Sequence, residues 1–312
     1  MMKPIIFIDG EAGTTGLQIH SRLHGRSDIQ MLSLAAHERK IQARRSEALN
    51  SCDIAILCLP DEAAKEAVSF ITNPQVRVLD ASSGHRTTPG WVYGLPELDS
   101  EQPLKISKAK RVSNPGCYPT GAILLIHPLV ASEVIPNDYP INVHAISGYS
   151  GSGRQLIDQY EDPSHPEHKT SPFIGYGLDL SHKHVPEMQK YSLLSHRPLF
   201  TPAYGKYKQG IVLYIPLHTR LLKSNSSLEK VHETLDLYYA NSEYVNVQPL
   251  RDAESTKLLE PEILNNTNKL NIWIFGSKDQ DQILLAAVYD NLGKGASGAA
   301  VQNLELMLYG LS

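Results

Sequence analysis

Three cysteines in 312 residues are too few and too irregularly placed for a disulfide framework or a zinc site built from thiolates. Cys52, Cys58 and Cys117 are left to packing or catalysis, and each is judged singly. No apolar run approaches the ~20 residues that a membrane-spanning helix needs. The N-terminal run at residues 5–8 meets an acid at Asp9, too soon for a signal-peptide core, and reads as a first strand. A cytoplasmic location is expected. Charge of one sign is also missing, since 29 Lys and Arg against 33 Asp and Glu leave a formal net charge of -4. Such a chain has no field to gather nucleic acid or anionic lipid. Repeats and low-complexity segments are absent, which excludes a solenoid. What remains is the make-up of an ordinary globular enzyme acting on small molecules, 41% hydrophobic and long enough for two domains.

The first third alternates apolar runs with helix-like stretches. Strands are expected at residues 5–8, 31–34, 53–59 and 76–79, and helices at 16–23, 37–49 and 62–70, the last capped by Asp61. Continuous rather than alternating apolarity implies burial on both faces, hence a parallel sheet covered by helices, an α/β fold. After Cys117 the texture changes. A helix at 120–130 is followed by strands at 141–147, 211–215, 272–275 and 283–289, the pattern of an α+β domain with a mostly antiparallel sheet. Residues 296–309 close the chain as an amphipathic helix.

Directly after the first strand comes Gly10-Glu11-Ala12-Gly13-Thr14-Thr15-Gly16, a G-x-x-G-x-x-G turn leading into a helix. Glycines there let the backbone approach a pyrophosphate, whose charge rests on helix N-terminal amides. Position between the first strand and first helix favours dinucleotide binding over an ordinary Gly-rich turn, with Gly10, Gly13, Thr14, Thr15 and Gly16 as contacts. Glu11 is an uncommon neighbour for a pyrophosphate. Past the second strand, Arg39 and Lys40 are placed to meet a 2′-phosphate, so NADP is preferred; both also fit as solvated helix residues, and Glu38 keeps NAD open.

Ser113-Asn114-Pro115-Gly116-Cys117-Tyr118-Pro119-Thr120 runs into the apolar helix. Cys117 thus falls at a helix N-terminus, where the dipole favours a thiolate, the form a nucleophile needs. The alternative is a buried cysteine filling space beside prolines. Cys58, inside the third strand, and Cys52, just before it, read as packing. The run His182-Lys183-His184-Val185-Pro186-Glu187 offers two imidazoles for proton transfer, and in an extended segment His182 and His184 would face one side. Glu187 is a candidate to orient one ring or hold a substrate group. His165 and His168 raise metal binding, but the spacing matches no zinc motif, and no metal is expected. Two loops are candidates for anion binding: Asp80-Ala81-Ser82-Ser83-Gly84-His85-Arg86, with Arg86 as a clamp and Ser82 beside the cofactor, and the loop at 147–154, with Ser147, Gly148 and Arg154.

Taken together, the glycine turn, SNPGCYPTGA, GYSGSGR, HKHVPE and the closing DNLGKGASGAAVQN resemble the N-acetyl-γ-glutamyl-phosphate reductases of arginine biosynthesis, in their shorter type 2 branch, along essentially the whole chain. The related aspartate-semialdehyde dehydrogenases share the glycine turn, cysteine and histidine base; N-P-G-C-Y-P-T with H-x-H-x-P-E and K-G-A-S-G-A separates the two groups. The resemblance implies a Rossmann-type NADP-binding domain at 1–116 and 288–312, completed by the C-terminal helix. A catalytic and oligomerisation domain is implied at 117–287. NADPH as hydride donor, Cys117 as nucleophile through a thioester, and His182 or His184 as base are implied as well. So is a return of the 291–298 loop, with Asn291, Lys294 and Gly295, to the cofactor near the nicotinamide. An acyl phosphate is the substrate implied, with phosphate released and a homo-oligomer, dimer or tetramer, as the assembly. Aspartate-semialdehyde dehydrogenase and reduction of a carrier-protein-linked acyl phosphate are the neighbouring alternatives. A cysteine hydrolase or acyltransferase without nucleotide and a non-catalytic NADP sensor are the distant ones.

Overall fold

The computed structural model describes residues 3–223, 226–276 and 281–310. The chain forms two units, one from the N-terminus to Pro115 with Ala296 onward, the other Gly116–Gly295. The return crossing thus falls between Gly295 and Ala296, whereas the resemblance puts a boundary at 288.

In the first unit the order is β1 (Ile5–Asp9), α1 (Thr14–Leu23), β2 (Gln30–Leu32), α2 (Gln42–Ser51), β3 (Ile54–Leu57), α3 (Asp61–Ser69), β4 (Arg77–Asp80), β5 (Val92–Tyr93), α4 (Gln102–Lys108) and β6 (Arg111–Ser113), with α10 (Gly298–Tyr309) from the chain's end. All six strands pair in parallel, in the order β2-β1-β3-β4-β6-β5. Side chains of a strand alternate between faces, so Ile6, Ile8, Ile54 and Ile56 pack against α1, α4 and α10, while Phe7, Ala55 and Leu57 pack against α2 and α3. That two-sided burial is why the strands read as unbroken apolar runs. Arg77 secures the α10 face: its guanidinium donates to the carbonyls of Ala109, Ser107 and Met307, the last groups of two helices that have no intrahelical partner.

Three expectations need local correction. Residues 37–41 are not helical, because the Glu38 carboxylate accepts from the Ala35 amide and Arg39 Nε donates to the Leu34 carbonyl; these bonds hold a turn, and α2 begins only at Gln42. β3 ends at Leu57, so Cys58 lies past the strand. Asp61 stands inside the first turn of α3 and receives the amide and hydroxyl of Ser83 rather than capping its own helix.

The second unit contains α5 (Cys117–Ala131), β7 (Asn142–Gly148), α6 (Arg154–Glu161), β8 (Phe173–Gly175), α7 (Val185–Tyr191), β9 (Leu199–Gly205), β10 (Ile211–His218), α8 (Leu228–Tyr239), β11 (Val245–Val247), α9 (Leu250–Ser255), β12 (Leu270–Gly276) and β13 (Gln282–Tyr289). Its sheet runs β11-β12-β13-β10-β7-β9-β8, four pairings antiparallel and two parallel, which bears out the mostly antiparallel reading. α5 is its central helix, buried from Tyr118 to Ile126 and packed on β10, β13, α7 and α8. Among the described residues no helix is long and apolar enough to cross a membrane.

Candidate active site

In the first unit the chain leaves β1 into the glycine turn. Gly10 has φ +89°, and a Cβ there would lie 2.3 Å from the Cys58 carbonyl oxygen, so no other residue fits without moving β3's end. Gly13 is the N-cap of α1 and provides no side chain to cap it, which leaves the first-turn amides at Thr14 and Thr15 open to a ligand. Beside the turn is a cavity of about 400 Å³ whose lining includes Gly10, Glu11, Leu34, Arg39, Lys40 and Leu59. Close glycine packing, uncapped amides and an adjacent cavity with cations fit the phosphates and adenosine of a dinucleotide. Thus Gly10, Gly13, Thr14, Thr15, Gly16, Arg39 and Lys40 gather as one group.

The loop after β4 is bound inward. Asp80, fully buried, accepts from the Ser82 hydroxyl at 2.7 Å and meets His85 Nδ1 at 2.6 Å, and His85 stacks on Trp91. Arg86 is also buried, its Nε donating to the Asn114 carbonyl at 3.0 Å. Asn303 of α10 donates to Asn114 Oδ1. Arg86 therefore steadies the turn that follows β6.

In the second unit Cys117 is the first residue of α5 and half-buried. Its carbonyl accepts from the buried Tyr289 hydroxyl at 2.7 Å. A Cβ on Gly295 would come within 2.9 Å of the Cys117 Cβ, and one on Gly121 within 2.6 Å of the Tyr289 ring. The other thiols differ: burial pushes those of Cys52 and Cys58 up to about 12. Tyr118 is buried and receives the Tyr176 hydroxyl at 3.0 Å. Burial first, then the nearness of the ionisable Cys117, hold the Tyr118 and Tyr289 hydroxyls well above the usual phenol range, so both stay protonated.

The HKH segment is not extended. His184 is the N-cap of α7 in helical conformation, with Pro186 in the first turn, a helix-start signal in the sequence itself. The two rings nonetheless meet edge to face at 4.7 Å, and Tyr118 contacts both, at 6.3 Å from His182 and 5.9 Å from His184. The His184 amide donates to His182 Nδ1 at 3.2 Å, which puts the proton of neutral His182 on Nε2. Glu187 is 1% exposed and accepts from the Gly116 amide at 3.1 Å, directly before the cysteine.

Of the remaining candidates, Ser147 and Gly148 are buried at the end of β7, where a Cβ on Gly148 would strike the Lys208 carbonyl at 2.4 Å. Arg154 is largely exposed and paired with Asp158 one turn along α6. Asn291 accepts from the Gly210 amide at 2.7 Å and donates to the Ser150 hydroxyl, tying the 147–153 loop to β10. Lys294 is fully buried with its ammonium 5.2 Å above the Tyr244 ring. Gly295, in the closing loop, abuts the cysteine. Sequence reasoning missed Tyr289, Gly121 and the Tyr118–Tyr176 pair. The small residue at Gly121 hinted at close approach, but nothing in one sequence names Tyr289 as its neighbour. Among the described residues no three His, Cys, Asp or Glu side chains gather as metal ligands.

Two family models match the chain: "Semialdehyde dehydrogenase, NAD binding domain" over residues 6–106 and "Semialdehyde dehydrogenase, dimerisation domain" over 117–291. Curated relatives named N-acetyl-gamma-glutamyl-phosphate reductase match end to end. One from Pseudomonas putida is 57% identical over 99% of this chain and 98% of its own, one from Burkholderia cenocepacia 56% over the same shares, and one from Rhizobium etli 50% over 98% and 99%. Among solved structures, aspartate semialdehyde dehydrogenase II from Vibrio cholerae, complexed with ASA, superposes with a TM-score of 0.75 at 17% identity, covering 99% of both chains. Aspartate semialdehyde dehydrogenase with NADP from Candida albicans gives 0.66 at 13%, covering 97% and 98%. Those likenesses establish the fold, and the full-length identities establish the group: the chain belongs to the N-acetyl-γ-glutamyl-phosphate reductase family of the semialdehyde dehydrogenases.

Proposed function

We propose that the protein reduces N-acetyl-γ-glutamyl phosphate to N-acetylglutamate 5-semialdehyde with NADPH, releasing phosphate, in arginine biosynthesis, and that Cys117 carries the acyl group between the two half-reactions. The observation that carries this reading is a half-buried cysteine at the first position of a helix, its backbone fixed on either side by Glu187 and Tyr289, in a chain whose other two thiols burial pushes up to about 12. The N-terminal end of α5 favours the thiolate, which attacks the γ-acyl carbon. The tetrahedral oxyanion meets the Tyr118 amide, a first-turn donor without a helical partner, while Pro119 offers none. Phosphate departs with its bonding electrons and a thioester remains. NADPH, when bound, supplies the hydride that reduces the thioester carbon. A histidine of the HKH pair, His182 through Nε2 or His184, protonates the new oxyanion and takes the proton back as the aldehyde forms and the thiolate leaves.

Gly10, Gly13, Thr14, Thr15 and Gly16 are proposed to hold the pyrophosphate, with Arg39 and Lys40 at the 2′-phosphate and Ser82 nearby. Arg154, whose exposed ion pair with Asp158 is readily exchanged, is proposed to receive the substrate anion with Ser147 and Gly148. Arg86 and Glu187 act as positioning residues on the turn before Cys117. Asn291 and Lys294 hold the closing loop, and Gly295 leaves room for the nucleophile. We further propose a cytoplasmic enzyme that assembles as a homo-oligomer, dimer or tetramer, through the domain of residues 117–291. The test is phosphate-dependent NADP reduction with N-acetylglutamate semialdehyde against aspartate semialdehyde. Preference for the acetylated five-carbon substrate is expected; equal or better turnover of aspartate semialdehyde would overturn the assignment.

A further inference from the structure

Resting on the dinucleotide reading, we propose that Glu11 sets how strongly this protein prefers NADP to NAD, by competing with the 2′-phosphate for Arg39 and offering the ribose 2′-hydroxyl an acceptor. Glu11 sits in the glycine turn after β1. Its Oε1 lies 2.5 Å from Arg39 Nη2, and its Oε2 accepts from the Ser33 hydroxyl at 3.3 Å. Arg39 Nε is spent on the Leu34 carbonyl at 3.1 Å. Arg39 is thus engaged at both ends, by a carboxylate and by the backbone that follows β2.

Apart from Lys40, the other charges in and beside the cavity are engaged as well. Arg45 closes on the Asp9 carboxylate, with Nη2 at 2.9 Å and Nε at 3.2 Å from both oxygens. Glu38, in the same turn as Arg39, is held by Arg44 at 2.8 Å. Among the described residues lining the cavity, Lys40 is the cation with no ion-pair partner. An incoming 2′-phosphate brings about -1.5 to -2 charges at neutral pH. Against it stand Lys40, an Arg39 already neutralised, and the Glu11 carboxylate. To reach Arg39 the phosphate must displace Glu11 and leave it unpaired nearby. A bare 2′-hydroxyl faces the opposite balance, since it donates to a carboxylate that is already in place. Glu11 is only 13% exposed and its pair with Arg39 is partly shielded, so water does not erase the difference.

The test uses 2′-phospho-ADP-ribose and ADP-ribose, which lack the nicotinamide and cannot react, titrated calorimetrically into the full chain. Glu11→Gln frees Arg39 and removes the carboxylate. The 2′-phosphorylated ligand should tighten about 10-fold and ADP-ribose should weaken about 3- to 10-fold, the sizes expected when one ligand acquires a charge-assisted hydrogen bond and the other loses one. Arg39→Gln placed on Glu11→Gln should erase the tightening, and Arg39→Gln alone should weaken 2′-phospho-ADP-ribose less than it does in the Glu11→Gln background. If Glu11→Gln moves both ligands equally, or leaves their ratio within twofold, the proposal fails while the dinucleotide reading stands. If neither ligand binds the unmodified protein, both fail together.

Discussion

Two helix starts in this molecule share one backbone conformation and stand in different surroundings. Gly13 before α1 has φ -75° and ψ 163°, and Gly116 before α5 has φ -73° and ψ 155°; each is an N-cap without a side chain, at the end of a strand and turn. Around α1 the neighbours are exchangeable ion pairs and a cavity, Glu11 with Arg39 and the unpaired Lys40 among them. Around α5 they are a buried carboxylate, a buried phenol packed on Gly121, and Gly295 in close contact with Cys117. A site that must bind and release a dinucleotide needs amides facing open space. A site that forms a bond at one sulfur needs its backbone fixed, because an error of about 1 Å in a reacting atom costs on the order of 100-fold in rate.

The sharpest way to break this contrast is Cys117→Ser. Phosphate-dependent NADP reduction should fall by at least about 1,000-fold. Titration with NADPH should show unchanged affinity, since α1 is untouched. Next is Gly295→Ala, whose Cβ would lie 2.9 Å from that of Cys117. A drop in kcat of about 10- to 100-fold is expected. Gly10→Ala reverses the pattern: with φ +89° and a 2.3 Å clash it should raise the Kd for NADPH by at least about 10-fold and lower the thermal midpoint, while the reactivity of Cys117 toward iodoacetamide stays the same. Should Gly10→Ala instead slow alkylation of Cys117, the division of labour is wrong.

Much of this was legible in the sequence. The parallel unit could be read because strands buried on both faces leave continuous apolar runs, and the cysteine because a proline–glycine turn precedes an apolar helix. Short elements were not legible: Val92–Tyr93, Arg111–Ser113, Phe173–Gly175 and Val245–Val247 are too brief to show a period of two. α8 did carry a signal, Ser227 accepting from the Lys230 amide ahead of an amphipathic run, and went unread. The HKH segment misled because alternation suggests a strand, whereas Pro186 in the first turn of α7 makes it a helix entry. Tyr289 and Gly121 meet only through tertiary packing across more than half of the second unit's sequence.

Smaller effects sharpen the comparison further. Glu187→Gln keeps the shape of the side chain but removes its charge from the bond to Gly116. A loss of about 3- to 10-fold in kcat with little change in KM for NADPH is expected, together with a modest fall in thermal midpoint. Smallest is the behaviour of the remaining thiols. Because burial raises Cys52 and Cys58 to about 12, their thiolate fraction at pH 8 is on the order of one in ten thousand, and it grows only as the pH rises toward that value. Brief alkylation of the folded protein at pH 8 should modify Cys117 and leave the other two intact by peptide mass spectrometry.

On the proposed mechanism the sulfur of Cys117 holds the acyl group after phosphate has gone. Mixing the protein, without nucleotide, with N-acetyl-γ-glutamyl phosphate and quenching in acid tests this directly. One phosphate should be released per chain, and intact-mass and peptide analysis should find one N-acetylglutamyl group on the peptide bearing Cys117, labile to hydroxylamine. Release of phosphate with no adduct, or an adduct on any other residue, would contradict the account.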